Sequence, residues 1–174
     1  HPLQILKNTI GEDNGNSEPR LGIVVGSIFR PVIQENKIYF TRTGNTNLLT
    51  SRGIWMQASF LPYITLNEII QTEPTVFGFN DNLIGIRSDV NVSPCISSNF
   101  PLQNLGHGIS FAGSNGRVAL ALNIFDECDF GVHMTDAEIG TQGTANRTDD
   151  NEWVDNPSSS NNRVVGSTKN GPIA

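Results

Sequence analysis

No window of this chain carries an apolar stripe at i, i+3, i+4, i+7 for more than two turns, and that constrains the fold more than any motif does. In its place runs a succession of short apolar or alternating segments punctuated by Gly, Asn and Pro. Residues 21–29 are almost continuously apolar. Residues 37–43 alternate, with Ile38 and Phe40 on one side and Tyr39 and Thr41 on the other, and residues 54–61 stop at Pro62. Residues 75–79 and 83–87 flank Asn80-Asp81-Asn82 in the pattern of a hairpin loop. Only residues 66–71 read as a helical turn. The sharpest local signal is Asn115-Gly116, which predicts a type I′ turn with period-two strands on either side. Val118, Leu120, Leu122 and Ile124 would share a core face, and residues 130–139 follow with Val132 and Met134 inward and His133 outward.

About seven or eight such strands, with turns about every 8–12 residues, predict an all-β antiparallel sandwich or barrel over residues 21–139. Residues 1–20 read as an N-terminal extension and 140–174 as a polar C-terminal extension. The length of 174 residues suits one domain. Charged residues are 16% of the chain against about 25% in ordinary soluble domains, so Asn, hydroxyls and Gly supply the surface polarity. A net charge of −6 with only Lys7, Lys37 and Lys169 as lysines excludes a nucleic-acid binder, which needs concentrated cations. No apolar run approaches the ~20 residues that span a bilayer.

Cys95 and Cys128 are expected to pair in an exported protein, a bridge stabilising by ~3–4 kcal/mol. The chain begins at His1, so either a leader or propeptide has been cut away or a tag has left its last residue. Two glycosylation sequons, at Asn91 and Asn146, are what chance gives in so Asn-rich a chain and add little to this extracellular expectation.

Candidate chemistry is sparse. His1 and His107 would supply the amine and imidazoles of a copper brace, an arrangement similar to that of secreted β-sandwich monooxygenases; the similarity implies copper at His1. Carboxylates with interleaved Asn at 126–129 and 148–156 offer oxygens to Ca²⁺, though without the EF-hand spacing. Ser110 in Gly108-Ile109-Ser110-Phe111-Ala112-Gly113 lacks the second glycine at elbow spacing and reads as a strand residue, and no residue is assigned to catalysis. Trp55 reads as core. Trp153, alone in a polar tail, reads as an anchor or a sugar-stacking platform.

The function expected is that of a non-enzymatic structural or adhesive subunit that engages other copies of itself. Leu3, Ile5 and Ile10 would add a strand to a neighbour's sheet, with Trp153, Val164 and Val165 contributing from the other extension. A carbohydrate-binding module or lectin-like adhesin, taking a glycan as partner, is the first alternative, and the copper oxidase the second.

Overall fold

The computed structural model describes residues 2–11, 21–40, 51–72, 83–138, 151–154, 162–168 and 171–173, the last two segments by backbone course alone. It contains eighteen strands in three sheets and, among the described residues, no helix. The first sheet runs β1 (Gln4–Leu6), β4 (Val32–Gln34), β7 (Tyr63–Thr65), β10 (Cys95–Ser97), β13 (Ala119–Ala121). In the second, the order is β2 (Thr9–Ile10), β5 (Lys37–Phe40), β8 (Glu68–Gln71), β11 (Leu102–Gln103), β14 (Ile124–Asp126), β16 (Glu152–Val154). The third holds β3 (Leu21–Gly26), β6 (Ser51–Gln57), β9 (Leu83–Asp89), β12 (His107–Ser114), β15 (Phe130–Glu138), β17 (Asn162–Thr168), β18 (Gly171–Ile173).

From β1 to β17 consecutive strands thus fall in different sheets, and strands pair with those a full coil later. The chain winds as a parallel β-helix. Every pairing is parallel except β17 with β18, which runs back antiparallel at the end of the third sheet. This overturns the expected antiparallel sandwich of seven or eight strands. Alternation along a strand reports which face is buried and carries no information about the direction of the neighbouring strand.

Three inward rows make the core. Ile23, Ile54, Ile86, Ile109 and Val132 stack in the third sheet, and Ile33, Ile64, Ile96 and Leu120 in the first. Ile38, Ile69, Leu102 and Phe125 stack in the second. All thirteen are buried. A coil of this kind cannot bury an apolar face alone, so each rung depends on the next.

The corner between the first and second sheets is built by asparagine. Asn36 Oδ1 accepts from the backbone N–H of Asn8 at 3.0 Å and from its Nδ2 at 2.9 Å. The same two bonds recur from Asn36 to Asn67, Asn67 to Asn99, Asn99 to Asn123 and Asn123 to Asn151. The residue before each of the first five ladder asparagines turns the chain in the left-handed region: Lys7, Glu35, Leu66, Ser98 and Leu122 have φ between 53° and 56°. None is glycine, and such a conformation costs of order 1–3 kcal/mol unless its surroundings enforce it. The stacked carboxamide bonds one residue later are that enforcement.

Glycine shapes the third sheet. A Cβ on Gly53 would lie 2.7 Å from the Gly85 carbonyl oxygen and 2.9 Å from Ile69 Cγ2, and one on Gly108 would lie 2.5 Å from Phe125 Cδ1. Gly22 and Gly85 face equally close neighbours. The missing side chains let the third sheet close onto the second.

These devices correct several local expectations. Asn115-Gly116 is not a hairpin turn; it lies at the corner from β12 to β13, where left-handed φ falls on Gly113 and Arg117 instead. The Asn115 carboxamide is buried, accepting from Ser88 Oγ at 2.8 Å and from the Asn91 N–H at 3.2 Å. Leu122 is exposed at a corner, not in the core row. The expected helical turn at 66–71 is the corner at Leu66 followed by β8. Residues 75–79 and the Asn80–Asn82 loop lie outside the described residues.

Candidate functional site

The outer faces of the three sheets differ sharply in chemistry. On the third sheet the register stacks Leu21, Arg52, Ile84, His107 and Phe130 in one outward row, and Val24, Trp55, Arg87, Ser110 and His133 in the next. Gln57, Asp89, Ala112 and Thr135 form a third row beside them. Two arginines, two histidines and two aromatics therefore meet on one face of an acidic protein. On the second sheet, by contrast, Lys37 is paired with Glu68 at 2.9 Å, and Tyr39 donates to the same carboxylate at 3.0 Å.

The side chains of the third-sheet face are organised by one another. The Arg52 guanidinium lies over the Trp55 ring at 4.3 Å, and Trp55 Nε1 donates to Asp89 Oδ2 at 2.8 Å. Arg87 Nε donates to the other Asp89 oxygen at 2.6 Å, while its Nη1 donates to Ser110 Oγ at 2.7 Å. On the following rungs the His107 and His133 rings are 4.3 Å apart, and Phe130 packs against both at 5.3 and 5.8 Å. Ser110 and Ile84 are shielded from solvent although they face away from the core.

Polar atoms on this face break the rule that buried polar groups are paired. Arg52 Nε and His133 Nδ1 are buried and have no hydrogen-bond partner among the described residues. Burial, and then the nearby Arg87 cation, hold the His133 imidazole below its ordinary value, so it is neutral at pH 7.

Of the residues expected to act, His107 belongs to this face, whereas His1 lies outside the described residues. Among the described residues no group of three His, Cys, Asp or Glu side chains could hold a metal ion. Asp126 ends β14 and Glu127 follows it, and burial pushes the Asp126 carboxyl up. The acidic stretch at 148–156 places Asn151 in the asparagine ladder, and its other carboxylates within 148–150 and at 155 are outside the described residues. Ser110 is an outward strand residue bonded to Arg87.

Leu3, Ile5 and Ile10 lie in the first coil, where β1 pairs with Val32–Gln34 and β2 with β5 of the same chain. Leu3 is exposed, while Ile5 and Ile10 pack against the core. Trp153, in β16, is an anchor: its ring sits 5.3 Å from Phe125 at the end of the second core row. Val164 and Val165 stand beside Val132 and His133 in the register of β17. Cys95 and Cys128 are both free, which overturns the expected disulfide. Cys95 lies on the first sheet, whereas the buried Cys128 follows the second sheet a coil later and donates to the Leu102 carbonyl at 3.0 Å.

The face itself escaped sequence reasoning because its members come from strands about 23–32 residues apart. A signal was present. The first five strands of the third sheet carry the same glycine (Gly22, Gly53, Gly85, Gly108 and Gly131), and the outward positions are the residue before it and the second after it: Arg52 and Trp55, His107 and Ser110, Phe130 and His133. Trp55, expected in the core, is one of these outward residues. No family model, curated protein or solved structure matches this chain.

Proposed function

We propose that the protein is a carbohydrate-binding β-helix that takes an extended glycan along the outer face of the third sheet. The observation that carries this reading is the pair of hydrogen-bonding side chains, Arg52 and His133, that the register sets on that face. They lie three rungs apart, which at a strand spacing of about 4.8 Å is about 14 Å. A ligand that satisfies both is an oligomer with repeated hydrogen-bonding groups. Trp55 and Phe130, near the two ends, add aromatic surface of the type that packs on sugar rings. Asp89 is held by Trp55 and Arg87, so it serves as a brace for the face and not as an acid or base for cleaving a glycosidic bond.

Glycan-array binding of the wild type and of Arg52→Ala tests this. The result expected is retention of one class of oligosaccharide, weakened at least about tenfold in the variant, the loss of a charge-assisted hydrogen bond. Absence of glycan binding by the wild type would overturn it. A second reading, assembly with other copies, rests on the exposed Leu3, Leu6, Leu21 and Val24 of the first coil. An oligomer in sedimentation that dissociates in a Leu3→Ser, Leu6→Ser double variant supports that reading, and a monomeric wild type overturns it.

A further inference from the structure

We infer that the glycan taken by the third-sheet face is a polyanion bearing carboxylates, and that its binding is coupled to proton uptake at His133. This rests on the reading of that face as a glycan site. The face brings Arg52, Arg87, His107 and His133 together, and the one carboxylate in its described rows, Asp89, is already bonded to Arg87. Among the described residues no carboxylate pairs with Arg52, whose Nε–H is buried and has no hydrogen-bond partner there.

His133 is placed to report the ligand's charge. From β9 it is faced by Arg87, and from β12 by Ser110 and His107; β17 sets Val165, which does not titrate, at its register. Phe130 on its own strand packs against it. Every charged neighbour in this set is cationic or able to become so, except Asp89 on the far side of Arg87. Protonating the imidazole in the free protein therefore adds a cation beside cations in a poorly hydrated place. A carboxylate seated over His107 and His133 reverses that balance, because it attracts the imidazolium. Ligand and proton then favour each other reciprocally. Sugar carboxylates stay ionised at pH 5.5, well above the ordinary carboxylate value, so the ligand's own charge does not change in the window.

The experiment is calorimetric titration of the full chain with polygalacturonate, and with dextran as the uncharged counterpart, at pH 7.5 and 5.5 in buffers of different ionisation enthalpy. The expected result is polygalacturonate binding that tightens about tenfold on acidification, with net proton uptake, and no binding of dextran. His133→Gln should remove most of the tightening and the uptake while binding at pH 7.5 persists. Arg117→Gln, an exposed arginine outside the third sheet, should leave both intact. Because the chain carries a net −6, acidification alone weakens its repulsion of a polyanion. Tightening as large in His133→Gln as in the wild type would therefore overturn the inference. So would pH-independent binding, or dextran binding as strong as that of polygalacturonate, both of which leave the glycan reading standing. If neither polymer nor any arrayed glycan binds at either pH, the glycan reading falls as well.

Discussion

Replacing Asn67 by alanine probes the device that holds the coils in register. Asn67 is fully buried in the middle of the ladder. Its Oδ1 accepts from the Asn36 backbone N–H at 3.1 Å and from Asn36 Nδ2 at 3.0 Å. Its Nδ2 donates to Ile33 O and Thr65 O, both at 3.0 Å, and to Asn99 Oδ1 at 2.9 Å. Alanine leaves the buried Asn36 N–H without its acceptor, and a group orphaned in this way costs about 1–3 kcal/mol. Asn36 Nδ2 keeps Ile5 O and Gln34 O, and Thr65 O keeps the Glu35 N–H, so the remaining losses are modest. With the unfilled volume the total is about 3–5 kcal/mol, a large part of the 5–15 kcal/mol that typical domains possess. Asn8→Ala is the control. Its described side-chain bonds are donations to Leu6 O and Asn36 Oδ1, on an exposed residue, so its loss costs about 1 kcal/mol or less. In urea unfolding followed by far-ultraviolet circular dichroism, Asn67→Ala should lower the midpoint by about 1–2 M with an unchanged slope, and Asn8→Ala by a few tenths. Equal shifts for the two variants, or less than about 1 kcal/mol for Asn67→Ala, would refute the claim that the buried carboxamides hold the corner.

Gly85→Ala places a Cβ 2.6 Å from the Gly108 carbonyl oxygen and 2.8 Å from Leu105 Cδ1, so it should destabilise by about 1–3 kcal/mol in the same assay. Gly116→Ala, with nothing within 4 Å, should stay within about 0.5 kcal/mol. The folded-state value of His133 is below its unfolded value of about 6.5. The unfolded chain therefore takes up the proton first, and the contribution of this residue is present above pH 6.5 and lost as pH falls through that value and below. A thermal-melt series from pH 7.5 to 5 should slope less in His133→Gln than in the wild type, and identical slopes would show that the group does not titrate as described. Burial pushes the Cys128 thiol up to about 12, so iodoacetamide at pH 8 should modify Cys95 in the native protein and Cys128 only after unfolding. Mass-spectrometric finding of both thiols modified at equal rates would contradict the placement of Cys128.

Much of the secondary structure is readable from one-dimensional pattern. The inward placement of Ile38, Phe40, Val132 and Met134 and the outward placement of His133 follow from alternation, because successive strand side chains point to opposite faces. A coil repeat is also written in the chain: Pro31, Ile33 and Asn36 recur as Pro62, Ile64 and Asn67, then as Pro94, Ile96 and Asn99. Its period is masked by unequal connections, since the ladder asparagines stand 28, 31, 32, 24 and 28 residues apart. Asn115 misled for a related reason. An asparagine before a glycine signals a tight hairpin when its backbone turns left-handed, but here its carboxamide serves buried neighbours while Gly113 and Arg117 do the turning.

Sequence alone determined that this chain is built of short strands with one apolar face each, because alternation and burial are properties of residue type and local order. Only the tertiary structure decided that the strands run parallel, that Cys95 and Cys128 stay apart, and that Arg52, Trp55, Arg87, His107 and His133 share a face. Those facts depend on which rung lies above which, and register between distant strands is set by the stacked asparagines and by glycines too crowded to carry a side chain.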